Sequence, residues 1–168
     1  YEEGKTVLIL GESYDIGTTV LDLSGKHVRS ARLQDLQKLE KLTSLKLNGN
    51  LIDELSFLTP LKNLVSLDLS ENNISDITTL SGMQSLRTLH LDKNKIKDFT
   101  PLYSLRGLTT LTIGGMEISE SQLKELKKAL PDCIVFSDEA SEDVVDIRLG
   151  GKTFKSNVKE LDLSIADL

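Results

Sequence analysis

The sequence has a single cysteine, Cys133, so no disulfide can form within the chain. It has two histidines, His27 and His90, and no HExxH or Cys/His cluster. A transition-metal site is therefore not expected, and neither is a cofactor. Tryptophan is absent and aromatics make up only 4% of the chain, so leucine must carry the core. There is no basic surplus. The formal net charge is −6, which argues against a nucleic-acid partner and against docking on an anionic membrane surface. No run of 18 apolar residues exists, so no helix is expected to span a bilayer. Gly150-Gly151-Lys152-Thr153 resembles the end of a phosphate-binding loop, but the earlier glycine that loop needs is replaced by Asp146. Asn73-Ile74-Ser75 is a glycosylation triplet that falls inside a repeat and reads as coincidence. The first residue is Tyr1 rather than Met, so the sequence reads as a mature or excised piece, and a missing leader carries little meaning.

What the chain does have is a period of 22. Leu42-Leu45-Leu47-Asn50-Ile52 is followed by Leu64-Leu67-Leu69-Asn72-Ile74 and by Leu86-Leu89-Leu91-Asn94-Ile96. A fourth row begins as Leu108-Leu111-Ile113, then carries Met116 in the asparagine position and closes on Ile118. A fixed period of this length means stacked repeats. Within each row the L-x-L core alternates, as a strand with one buried face does. Asn50, Asn72 and Asn94 fall at the bend leaving the strand. Stacked row on row, their amides can serve backbone groups that the bend leaves bare. The apolar spacing then changes to three, as in Ile74, Ile77, Leu80 and Met83, which suits 3₁₀ turns. Pro60 and Pro101 lie in these returns, where a long helix would resist them.

These rows resemble leucine-rich repeats of the 22-residue class. Ile74-Ser75-Asp76-Ile77-Thr78-Thr79-Leu80 and Lys97-Asp98-Phe99-Thr100-Pro101-Leu102 are similar to the returns of bacterial internalin-type repeats. The resemblance implies an α/β, right-handed solenoid with a parallel sheet on the concave face and 3₁₀ turns on the convex face. It also implies a non-enzymatic protein-binding module, extracellular or at the cell surface. An intracellular regulatory scaffold, which would be cytoplasmic, and a spacer in a tandem array remain as alternatives. The partner is an unknown protein.

Taken in order, residues 1–35 read as a capping hairpin and a divergent first repeat, with Lys26 in the asparagine position. Residues 36–118 are the repeats. In 119–136, Ser119 and Gln122 have capping-box spacing ahead of Leu123, Leu126, Ala129 and Leu130. An amphipathic helix of about ten residues follows, ended by Pro131 and succeeded by a strand. Leu130-Pro131-Asp132-Cys133 resembles the ending common after leucine-rich arrays, which makes Cys133 a small core residue. Residues 137–143 form an acidic linker. Residues 144–168 either cap the array or begin it again. Shifted by 140, Leu21-Asp22-Leu23-Ser24 falls identically on Leu161-Asp162-Leu163-Ser164, and Val7, Ile9, Gly11 and Tyr14 fall on Ile147, Leu149, Gly151 and Phe154. Apolar residues in 161–168 need cover, and self-association could supply it.

Side chains between the leucines point out of the sheet. They form three columns: Val20, Ser44, Ser66, Thr88, Thr110; Asp22, Lys46, Asp68, His90, Thr112; and Ser24, Asn48, Ser70, Asp92, Gly114. Lys46, Asp68, His90 and Asp92 are the candidate binding residues. Strand spacing lets Lys46 reach Asp22 and Asp68, and His90 reach Asp68. The same charges could equally form a solvated ladder, each pair contributing about 0–1 kcal/mol. The columns hold no aromatic or arginine anchor of the kind interfaces favour. His90, Asp68 and a hydroxyl of Ser66 or Thr88 make a fragment of a catalytic set, but an open face cannot exclude water. No catalytic residue is assigned.

Overall fold

The computed structural model describes residues 4–138, 145–149 and 152–156. Strands β3 (Val20–Asp22), β4 (Ser44–Lys46), β5 (Ser66–Asp68), β6 (Thr88–His90), β7 (Thr110–Thr112) and β8 (Ile134–Phe136) follow the hairpin strands β1 and β2. They form one six-stranded parallel sheet in chain order. The central residues Leu21, Leu45, Leu67, Leu89 and Leu111 pair row to row and are buried, and Val135 closes the series half-buried. A three-residue strand can bury only its middle side chain, so its two neighbours must face solvent. The expected stacked coil is therefore the observed one.

The chain returns through 3₁₀ turns at Ser30–Arg32, Gln34–Lys38, Ser56–Leu58, Thr78–Gly82 and Thr100–Ser104. The first return contains two of these turns, and this accommodates the extra two residues of its row. Apolar residues spaced by three all point inward from such turns: Ile52, Leu55, Leu58 and Leu61 in the second row are buried. Phe57 and Phe99 are buried in the same core.

Two devices hold the bends at Asn50, Asn72 and Asn94. The first is the asparagine column. Asn72 Nδ2 donates to Leu69 O of its own row (3.0 Å) and Leu47 O of the row before (3.0 Å), while its Oδ1 accepts from Ile52 N–H (2.9 Å). Asn50 and Asn94 repeat the pattern on Val28, Leu23 and Leu47, and on Ile74, Leu69 and Leu91. The second is a left-handed residue just before it. Gly25, Gly49, Glu71, Lys93 and Gly115 have φ of 64°, 70°, 56°, 54° and 68°. Their neighbours stack, so Gly49 N–H donates to Ser70 O and Glu71 N–H to Asp92 O. Glu71 and Lys93 adopt this strained backbone and pair across it at 3.6 Å. Ser30, buried at 2% exposure, ties the first return to the second. Its Oγ donates to Asp53 Oδ1 and accepts from the Asp53 and Glu54 amides.

At the front, β1 (Thr6–Ile9) and β2 (Glu12–Asp15) form an antiparallel hairpin. Its Val7 and Ile9 are buried, and β1 packs on the Gln34–Lys38 return. At the back, α1 (Glu120–Ala129) carries the expected capping box: Ser119 Oγ accepts from Gln122 N–H and Gln122 Oε1 from Ser119 N–H, both at 3.1 Å. Gln122 Nε2 also donates to Lys97 O, fixing the helix on the preceding return. Cys133 is half-buried at the end of the core rather than within it, because β8 has no row beyond it among the described residues. A second hairpin pairs β9 (Val145–Leu149) with β10 (Lys152–Ser156). Most of the acidic linker and all of 157–168, including the self-association segment 161–168, lie outside the described residues.

Candidate functional site

The sheet's outward side chains stand in the three columns expected. Register pairs Asp22, Lys46, Asp68, His90 and Thr112 in the middle column. The structure adds a sixth member to each. β8 joins the sheet in register, so Ile134 follows Thr110 and Phe136 follows Thr112, with Asp138 two residues on in the third column. Ile134 is 63% exposed and Phe136 55% exposed. The face therefore does carry an aromatic and an aliphatic anchor. Sequence reasoning placed Phe136 in a cap, because α1 interrupts the 22-residue period ahead of β8. The alternation Ile134-Val135-Phe136 was the signal that could have found it.

Polar contacts across the face differ from those expected. His90 does not turn to Asp68. Its Nδ1 lies 3.0 Å from Thr112 Oγ1. Thr112 donates its single proton to Asp92 Oδ2, so His90 Nδ1 must carry the hydrogen and donate to Thr112. Asp92 also accepts from Gly114 N–H (2.8 Å) and Ser70 Oγ (3.4 Å). Asp68 instead accepts from Ser70 N–H at 3.0 Å. Short aspartate side chains satisfy the amide two residues on before they can reach sideways. Asp22 does the same with the Ser24 amide and hydroxyl, which hold its carboxyl below the usual range, with Lys46 a lesser contributor. Lys46 is exposed and, among the described residues, makes no ion pair within 4 Å. The structure thus unites His90 and Asp92 through Thr112, joins Asp68 to Asp92 only through Ser70, and leaves Lys46 apart from them.

Gly114 sits beneath this cluster. A methyl group there would lie 2.7 Å from Asp138 Oδ1 and 3.0 Å from Asp92 Oδ1, so the two carboxylates close over a bare backbone. Asp138 accepts from Gly115 N–H. The C-terminal end of the face is thus two apolar side chains beside two aspartates and a histidine. Among the described residues no three His, Cys, Asp or Glu side chains gather to hold a metal. Burial pushes the Cys133 thiol up, away from the reactive thiolate. Such an open surface suits recognition by contact and hydrogen bonding.

The leucine-rich repeat family (two copies) matches residues 40–82 and again 62–104. No curated protein matches. Among solved structures, internalin C2 of Listeria monocytogenes is similar with a TM-score of 0.64 and 32% identity, over 73% of this chain and 52% of that one. An internalin (inlF) of the same organism gives 0.57 and 22%, over 77% and 47%. The leucine-rich repeat ectodomain of the receptor kinase SOBIR1 from Arabidopsis thaliana gives 0.56 and 21%, over 79% and 76%, a likeness of fold alone. The chain spans about half the length of the two internalin structures.

Proposed function

The chain is an internalin-like leucine-rich repeat protein, and on that premise we propose that it is a non-enzymatic module that binds another protein across the outward face of its sheet. Repeats of this family are typically protein-interaction modules. The observation that carries the reading is the exposure of Ile134 and Phe136 beside Asp92, Asp138 and His90. Apolar anchors rimmed by polar groups are what interfaces use. Lys46 and Asp68 extend the contact toward the N-terminal rows. The backbone behind them is held by row-to-row hydrogen bonds, so the face is preorganised and loses little conformational freedom on binding. Placement at the surface of a bacterium, or secretion from it, is supported by the internalin neighbours. No helix among the described residues is long and apolar enough to cross a membrane.

The test compares crosslinked partners of the unaltered chain with those of two variants. One is Lys46→Ala/Asp68→Ala/His90→Ala/Phe136→Asp on the sheet face. The other is Lys38→Ala/Lys62→Ala on the returns. A partner lost only by the face variant supports the reading; one retained by the face variant and lost by the other overturns it. A spacer role in a tandem array is favoured by one separate observation: β9 pairs with β10 in the register of β1 with β2, shifted by 140 residues.

A further inference from the structure

In the third column of the face a bare position stands between two carboxylates. Gly114 is buried, and the point where its Cβ would stand lies 2.7 Å from Asp138 Oδ1 and 3.0 Å from Asp92 Oδ1. Asp92 and Asp138 thus converge on one point. Each is held there from below, Asp92 by the Gly114 amide and the Thr112 hydroxyl, Asp138 by the Gly115 amide. Among the described residues no lysine or arginine comes within 4 Å of either carboxylate. Lys93, the cation nearest in sequence, is turned to Glu71 at 3.6 Å. Like charges that converge with no cation between them repel. The notch over Gly114 therefore favours a positive charge brought from outside.

Its surroundings select the kind of cation. Phe136 stands one row beyond Thr112 in the middle column and Ile134 one row beyond Thr110 in the first, both exposed. His90 Nδ1–H is spent on Thr112, so Nε2 of the neutral ring is a further acceptor. A divalent metal ion wants six or more oxygens. Among the described residues no third carboxylate or imidazole joins Asp92 and Asp138 to hold one. A guanidinium uses everything that is there. Its planar fork donates to carboxylates, its flat face stacks on an aromatic ring, and its methylene stem covers apolar surface. A second copy of the face is a poor occupant, because the outward columns carry Asp22, Asp68, Asp92 and Asp138 against one lysine, Lys46.

Resting on the reading that this face binds a protein, we propose that its C-terminal end takes an arginine side chain of that partner. The guanidinium sits over Gly114 between Asp92 and Asp138, with Phe136 against its plane. An apolar residue beside the arginine covers Ile134.

The probe is acetyl-leucyl-arginyl-leucinamide, compared with the same peptide carrying citrulline, the neutral isostere of arginine. Amide chemical shifts of the unaltered chain follow each titration at about 0.15 M salt, where general attraction is screened. The arginine peptide should move the Gly114, Gly115 and Phe136 amides and bind at least about tenfold more tightly than the citrulline peptide. That preference should vanish in Asp92→Asn/Asp138→Asn and survive in Asp76→Asn/Asp98→Asn, which removes the same charge from the returns. Gly114→Ala keeps every charge but puts a methyl group where the carboxylates meet, and should weaken the arginine peptide at least about fivefold. The citrulline comparison needs no variant, so it decides even where a substitution disturbs the fold. Equal affinity for the two peptides, no response to the arginine peptide, shifts centred elsewhere, or equal losses in the notch and return variants overturn the proposal. If the arginine peptide fails while the sheet-face variant still loses its crosslinked partner, the arginine site falls and the binding face stands. A crosslinked partner retained by the sheet-face variant removes the underlying reading instead.

Discussion

Asn72→Ala should be among the costliest single polar changes in the chain. Asn72 makes one hydrogen bond as acceptor, from Ile52 N–H, and two main ones as donor, to Leu47 O and Leu69 O. These are not equivalent. Leu47 O is also served by Asn50, and Leu69 O by Asn94. Removing Asn72 therefore leaves both carbonyls with one donor each, at about 0.5–1 kcal/mol per bond lost. Ile52 N–H, in contrast, is left buried with no acceptor, at about 1–3 kcal/mol. The sum is about 3 kcal/mol. With a urea slope of about 2 kcal/mol per molar, the unfolding midpoint should fall by about 1.5 M. Asn73→Ala, at an exposed neighbour, is the control and should move it little. The shared acceptor makes a stricter test. In Asn72→Ala/Asn94→Ala, Leu69 O loses both amide donors, so the double variant should cost about 1 kcal/mol more than the two singles together. Circular dichroism through a urea titration reads the unaltered chain, the three single variants and the double variant. Additivity within about 0.3 kcal/mol, or an Asn72→Ala midpoint equal to that of Asn73→Ala, would refute the reasoning.

Met116 occupies the asparagine column, and among the described residues Ile96 N–H has no acceptor corresponding to those of Val28, Ile52 and Ile74; Met116→Asn should raise stability by about 1 kcal/mol, seen as a higher melting temperature. Ser30→Ala should cost about 1–3 kcal/mol in a urea titration, since two amides lose their acceptor. Lys93 holds φ at 54°, so Lys93→Gly should be neutral or stabilising by up to about 1 kcal/mol while Lys93→Val destabilises by at least that much. The Thr78 and Thr100 hydroxyls and amides hold the Asp76 and Asp98 carboxyls below the usual range. Their stabilisation is therefore complete above about pH 4 and is lost as pH falls through the lowered folded-state values. Melting temperature between pH 2 and 6 should fall less steeply in Asp76→Asn/Asp98→Asn.

The scaffold was legible because each of its devices is written in a repeated residue type. L-x-L gives the buried strand centre, Asn the bend, and apolar residues spaced by three the 3₁₀ return. Less was legible wherever one residue type serves by geometry alone. Glu71 and Lys93 carry the left-handed bend with no glycine to announce it. Ser30 looks like any surface serine until the first return is seen to fold it under Asp53 and Glu54. On the face, the columns were readable from alternation, but their contacts were not. Rotamers decide whether Asp68 turns to Ser70 N–H or to His90, and sequence spacing does not encode that choice. Phe136 was missed because α1 breaks the period that would have aligned it.

Each strand of the parallel sheet is only three residues long, with one side chain committed inward and two outward. Within β4, β5 and β6, no outward side chain is buried in the core, and the asparagines that tie the rows sit outside the strands. The exterior of the sheet is therefore a grid whose squares can be rewritten one at a time while the skeleton behind stays the same. Selection can explore new ligands on this protein without first solving the folding problem again.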